Sequence, residues 1–306
     1  MKLIRPTILM VMLASLIQAQ DLRFSKRQDF HTQFTSRFRD YEALMLVDMN
    51  GKEILFEKNG FEIKEIASLT KMMSTLLVVE EINKGYLSLD DTLRTSTHAS
   101  KMGGSQIYLR EFERMRVDDL LKSTVIKSAN DATTVLAEKV GGEGGLPLFI
   151  KMMNSRAKQL GMANTAFYFA HGLPPSRRNI MNNKQANTST CYDLVLLAEE
   201  MLKHPLIMEY SSIWLDYVRQ DTRPFMLRNT SRLIIDYPYF DGLKTGYYRA
   251  AGFNIVATAK KDDMRLVAVV LGTRSMRGRD KFVNDLVSWG FRELEADKML
   301  LVEKSE

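Results

Sequence analysis

The spacing of apolar residues changes period along the chain. Residues 41–60, YEALMLVDMNGKEILFEKNG, hold two short apolar runs on either side of Asn50-Gly51, a strong hairpin signature. From Ser68 the period becomes helical. Leu69, Met72, Met73, Leu76, Leu77 and Val79 cover more than one helix face, which predicts a buried central helix beginning at or near Ser68. The amphipathic stretches VDDLLKSTVIKSANDATTVLAEKV, LPLFIKMMNSRAKQLGM and CYDLVLLAEEMLKHP make residues 86–230 mainly helical, with polar loops between them. Strands return in FDGLKTGYY and in FNIVATAKKDDMRLVAVVLGT, a hairpin turning at Lys261 to Asp263, and KFVNDLVSWGFREL follows as a closing helix. Strands at both ends of a helical middle predict a mixed α/β (α+β) fold. Its antiparallel sheet has about five strands drawn from N- and C-terminal segments, with helices on its faces and an inserted, mainly helical subdomain at about 86–230.

Composition adds context. The 306 residues are 45% hydrophobic and 26% charged, with no repeat, heptad run or low-complexity tract, as expected of a folded globular chain. Lys2 and Arg5 precede an apolar run from Ile8 to Ile17, and Ala19 is a small residue suited to precede a cleavage point. This predicts a signal peptide over residues 1–19 and an extracytoplasmic protein, periplasmic or secreted. A basic, solvated lead-in is expected over 20–40 and a catalytic domain over 41–295. Residues 296–306 are expected to form a tail, with no second β-rich domain and no C-terminal membrane anchor. The net charge of +6 falls to +4 once residues 1–20, with Lys2 and Arg5 and no acid, are removed. That balance suits an anionic envelope polymer, and no basic stripe interleaved with aromatics points to nucleic acid. The only cysteine, Cys191, opens an apolar helix and is read as a packed structural thiol.

The chemistry lies in three short motifs. SLTK spans Ser68 to Lys71, SAN spans Ser128 to Asn130, and KTG spans Lys244 to Gly246. Each alone is weak, since a second Ser-x-x-Lys occurs at Ser155 and Lys158. In this order the three resemble the signature of the active-site serine enzymes that include β-lactamases and penicillin-binding proteins. A serine hydroxyl becomes a good nucleophile only when a base takes its proton. Residues i and i+3 share a helix face, so Lys71 can reach Ser68. Lys71 is a base only when neutral, so burial beside a second cation, Lys244, must depress its pKa. The free N–H groups at a helix start favour a developing oxyanion. Ser128 can relay a proton to the leaving amine, and the Asn130 amide can hold a substrate carbonyl. Lys244 and Thr245 can meet a substrate carboxylate from their strand. Gly246 lets an extended substrate lie against that strand, and the Tyr247 N–H joins that of Ser68 in an oxyanion hole.

From about Tyr41 to Phe291 the chain is similar to the low-molecular-weight D-alanyl-D-alanine carboxypeptidases. The likeness extends through NSRAKQLGMANTAFYFAHGLP, NTSTCYDLVLLAEEMLKHP, FDGLKTGYYRAAGFNIVATA and VSWGF. It implies removal of the terminal D-alanine from peptidoglycan stem peptides through an acyl-enzyme on Ser68. It also implies β-lactams as slow covalent inhibitors, and no cofactor or metal. By the same matching Arg279 falls where the family places an arginine near the substrate's terminal carboxylate, and bidentate geometry suits it to that partner. Tyr247-Tyr248 departs from the histidine or tyrosine followed by threonine found in many relatives, leaving the effect of Tyr248 open.

Other readings have their own discriminators. A D,D-endopeptidase cutting cross-links would use the same residues. A class A β-lactamase needs a loop glutamate and asparagine, and no E-x-x-L-N lies between SAN and KTG. A silent binding module would bind peptide without turnover. GGEGG at 141–145 lacks the Lys-Ser/Thr of a phosphate cradle, and His31, His98, His171 and His204 lack zinc spacing. His171 is read as shaping a loop near the cleft.

Overall fold

The computed structural model describes residues 23–27, 41–174, 176, 185–220 and 222–303; the expected signal peptide lies outside them. The main sheet runs in the order β1 (Ser25–Lys26), β3 (Glu53–Lys58), β2 (Ala43–Asp48), β12 (Met264–Thr273), β11 (Gly252–Lys261) and β10 (Phe240–Tyr248). Five of these strands form the antiparallel sheet expected from the two ends of the chain. The sixth, β1, pairs parallel to β3 and belongs to the segment expected to be a solvated lead-in. The reason is Phe24. Its ring is wholly buried, edge-on to Tyr192 at 6.3 Å, and this burial draws the neighbouring backbone onto the sheet.

Alternation explains why the central strands read as unbroken apolar runs. On β2, Ala43, Met45 and Val47 enter one core while Leu44 and Leu46 enter the other; on β12, Val267, Val269 and Leu271 oppose Leu266, Ala268 and Val270. Both faces are covered, so neither needs polar residues. The first hairpin forms where Asn50-Gly51 predicts it, but by another device. Asp48 pairs with Glu53 and its carboxylate accepts the N–H groups of Asn50 and Gly51, while Lys52 takes the left-handed conformation at φ 54°. Gly51 serves close approach instead: a Cβ there would sit 2.4 Å from the Asp48 carboxylate.

The longer helices among the described residues are α1 (Lys71–Asn83), α2 (Val117–Val125), α3 (Asn130–Gly141), α4 (Gly145–Leu160), α5 (Cys191–Met201), α6 (Pro205–Ser212) and α7 (Met276–Glu303). α1 is buried continuously from Lys71 to Val79, as its all-round apolar pattern requires. α7 lays Phe282, Val283, Leu286, Val287 and Phe291 on the second face of the sheet. It runs on to Glu303, so residues 296–303, expected as a tail, are helical. The middle of the chain also carries small strand pairs: β4 (Lys64–Glu65) with β7 (Thr188–Ser189), β5 (Thr92–Arg94) with β6 (Arg114–Arg116), and β8 (Leu215–Val218) with β9 (Phe225–Arg228).

Candidate active site

Three backbone elements deliver the three motifs to one place. Ser68 sits in a single turn of tight 3-10 helix, Ala67–Thr70, that leads into α1. In such a turn side chains at i and i+3 eclipse, which sets Lys71 over Ser68 more directly than the expected α-helical start would. The turn is strained: Ala67 has φ 48°. Ser128 also has positive φ, 62°, and hands the chain to α3, whose first residue is Asn130. β10, at one edge of the sheet, supplies Lys244 to Tyr247. Backbone strain of this kind persists only where the surroundings enforce it, and here it lies within or beside two of the motifs.

The Lys71 amine is the centre of the cluster. The residue is wholly buried, and its Nζ lies 3.2 Å from Ser68 Oγ, 2.6 Å from Asn130 Oδ1 and 2.5 Å from the His171 carbonyl. A neutral amine has two N–H donors and one lone pair. Those donors match the two carbonyl oxygens, leaving the lone pair for the Ser68 hydroxyl. Burial, then the charge of Lys244, hold the Lys71 pKa well below its usual value, with Asp131 opposing. Lys244 is itself lowered to about 7, by burial first and then by Arg279.

The other expected residues take defined places. Asn130 gives its oxygen to Lys71 and one amide hydrogen to the Gly103 carbonyl at 2.7 Å, so it positions Lys71 and keeps one hydrogen for another acceptor. Ser128 Oγ is buried and, among the described residues, has no hydrogen-bond partner. Thr245 donates to Thr230 Oγ1 at 2.7 Å, and Tyr247 is 55% exposed, stacked on Phe253 at 4.1 Å. Gly246 has a packing reason beside the expected one. A Cβ there would meet the Ile66 carbonyl at 2.7 Å and the N–H groups of Ser68 and Leu69 at 3.0 Å, so glycine lets β10 close onto the Ser68 turn. Arg279 is 2% exposed. Its guanidinium engages Asp280 Oδ1 at 2.8 and 2.6 Å and the Asn254 carbonyl at 3.3 Å.

Several supporting groups escaped the sequence reading. The His171 acceptor is a backbone oxygen, which no residue type announces. The 168–173 segment is held against α1 by Ser74, which donates to the Ala170 carbonyl at 2.6 Å, and by the buried Asn187 amide. That amide accepts from the N–H groups of Tyr168 and Phe169 and donates to Thr70 Oγ1 and the Phe169 carbonyl. Gly172, at φ 78°, is packed so closely that a Cβ would lie 2.1 Å from the Ala67 carbonyl. The His171 ring accepts from the Leu173 N–H and burial lowers its pKa to about 3, in keeping with a loop-shaping role. Tyr248, whose effect was open, donates to the Glu65 carboxylate at 2.9 Å and ties the end of β10 to the strand before Ser68.

The decoys stay apart. Ser155 and Lys158 are exposed on α4, and 141–145 joins α3 to α4. Cys191 is buried, its thiol pushed up by burial. Among the described residues, Glu80, Glu200 and His204 bring three possible metal ligands within 4.8 Å, a grouping invisible in sequence spacing. Arg156 already bridges both carboxylates, at 2.8 and 2.7 Å.

Residues 34–275 match the model of the D-alanyl-D-alanine carboxypeptidase family. D-alanyl-D-alanine carboxypeptidase DacF of Bacillus subtilis is 38% identical over 255 residues, 83% of this chain and 63% of the relative. DacC of Escherichia coli is 33% identical over 84% of this chain and 62% of the relative, so the chain spans just under two thirds of the length of these relatives. The ampicillin-bound structure of Penicillin-Binding Protein D2 from Listeria monocytogenes superposes with a TM-score of 0.73 at 28% identity, over 83% of this chain and 98% of the other. With its sheet, its helical layers and a match across more than three quarters of its length, the chain belongs to the D-alanyl-D-alanine carboxypeptidase family.

Proposed function

We propose that this chain is an extracytoplasmic serine D,D-carboxypeptidase that removes the terminal D-alanine from peptidoglycan stem peptides. The observation carrying this reading is the buried Lys71 amine, poised on Ser68 Oγ with both its N–H donors matched and its pKa depressed. Lys71 takes the Ser68 proton as the oxygen bonds to the carbonyl carbon of the penultimate D-alanine. The tetrahedral oxyanion rests on the backbone N–H groups of Ser68 and Tyr247. Collapse breaks the peptide bond; the departing amine of D-alanine receives a proton through Ser128, whose hydroxyl is otherwise unpartnered and buried. Water then hydrolyses the acyl-enzyme. Lys244, Thr245 and Arg279 form the cationic end of the cleft that receives the terminal carboxylate, and the outer edge of β10 receives the peptide backbone as an added strand. β-Lactams acylate Ser68 by the same step and leave slowly.

The test is D-alanine release from a synthetic pentapeptide, run beside a cross-linked muropeptide. Release from the pentapeptide with the cross-link left intact is the expected result. Cleavage of the cross-link without D-alanine release would replace the reading with an endopeptidase.

A further inference from the structure

We propose, building on the carboxypeptidase reading, that a cavity beside the cleft is a second substrate subsite, which takes a carboxylate carried by the stem peptide upstream of the bond that is cut. The cavity has a volume of about 590 Å³ and lies between residues 107–113 and the turn carrying Arg219, Thr222 and Arg223. Its walls are strained. Of the non-glycine residues with positive φ among those described, Tyr108 at 57°, Phe112 at 65° and Arg219 at 57° all line it. Strain of this sort clusters at active sites and ligand clamps. Tyr108 is 69% exposed and meets Phe225 edge-on at 6.1 Å, while the Phe112 ring carries the Arg94 guanidinium 4.0 Å from its centroid.

The charge balance selects an anion. Arg219 spans the two walls, donating to Glu113 Oε1 at 2.6 Å and to the Ile107 carbonyl at 2.8 Å, while Glu113 Oε2 accepts the Arg110 N–H at 2.8 Å. Glu111 accepts the Thr97 hydroxyl. Among the described residues, both acids of the lining are thereby engaged. The guanidinium groups of Arg110 and Arg223 have no partner among the described residues, and both line the cavity. An unpaired guanidinium favours a carboxylate in bidentate geometry.

Position selects the source of that carboxylate. One wall runs back from Tyr108 to Ser105, whose carbonyl accepts the Asn130 N–H at 2.7 Å. The other runs from Phe225 along β9 to Thr230, which meets Thr245. Three and five residues of extended chain span at most about 10 and 17 Å. A peptide anchored at Ser68 covers that distance in three to five residues, so its upstream part reaches the cavity while its terminal D-alanine occupies the cleft.

The experiment compares acetyl-L-Ala-γ-D-Glu-L-Lys-D-Ala-D-Ala with its carboxamide twin, in which γ-D-Glu becomes isoglutamine. Binding is read by calorimetry on Ser68→Ala, so that it does not depend on turnover. The carboxylate peptide should bind about fivefold tighter, as one exposed ion pair allows. Adding Arg110→Gln and Arg223→Gln should erase the preference, while a charge-matched control away from the cavity, Lys84→Gln with Arg116→Gln, should keep it. Equal binding of the two peptides, no binding of either, survival of the preference in the cavity variant, or its loss in the control would overturn the subsite. D-alanine release by the Ser68 enzyme reports separately. Release without a carboxylate preference overturns the subsite alone, and a preference without release overturns the reaction alone.

Discussion

At the scale of single residues, the lysine proposed to activate the serine is held by groups of opposite legibility. Ser68, Lys71 and Asn130 are legible because hydroxyl, amine and amide each have a chemistry that the spacing brings together. The His171 carbonyl and the pinning amide of Asn187 are not, because a backbone acceptor has no residue type and a buried asparagine resembles any other asparagine. A second reason for Gly246 is hidden for a similar cause: sequence shows that a side chain is missing, but not which neighbour needs the space. Lys71 acts as a base only when uncharged, so acylation should rise with pH through its depressed pKa and level off well below the ordinary 10.5. A pH profile of benzylpenicillin acylation checks this, and a limb near 10.5 would contradict it. Lys71→Arg, with a guanidinium that keeps its proton, should lower the acylation rate by roughly 10²–10⁴ in the same assay.

At the scale of elements, the proposed catalysis requires the close approach of β10 to the turn before α1. The sheet, its hairpins and the buried α1 were readable from periodicity, since one face or two faces of burial leave a clear alternation. The parallel β1 was not, because a two-residue strand has no period and depends on the burial of Phe24 against residues far along the chain. The continuation of α7 through residues 296–303 was likewise hidden, because Met299, Leu300, Leu301 and Val302 follow one another without helical spacing and stay exposed. Gly246→Ala places a methyl group within 2.7 Å of the Ile66 carbonyl and 3.0 Å of the Ser68 N–H, both backbone groups that cannot swing away. The turn and the strand must separate. Because a misplacement of about 1 Å can cost on the order of 100-fold, the acylation rate should fall at least about tenfold while the variant still folds. Stopped-flow acylation with far-UV circular dichroism on the same sample measures both.

At the scale of the whole molecule, the site imposes an acid-sensitive fold. His171 is buried and neutral, with its pKa lowered to about 3 from an ordinary 6.5. Between those values the unfolded chain binds a proton that the folded chain refuses, so stability falls as pH drops from 6.5 toward 3. The slope from this one group is at most about 1.4 kcal/mol per pH unit. Carboxylates held below their usual range, such as Glu199 and Glu200, act with the same sign but from about pH 4.5 downward. Lys71 and Lys244, both lowered, act with the same sign near this range, so the share of His171 is read by comparing thermal midpoints of wild type and variant between pH 6.5 and 5. His171→Gln should flatten that part of the curve; an equally steep curve would remove His171 from the account.

The central claim is that Ser68, activated by Lys71, is the nucleophile. The most direct measurement is the intact mass of the purified protein after incubation with benzylpenicillin, with Ser68→Ala beside it. One penicilloyl adduct per chain on the wild type, persisting over minutes and absent from the variant, is the predicted result. An adduct that survives the Ser68→Ala substitution, or a wild type that neither forms one nor turns penicillin over, would contradict it.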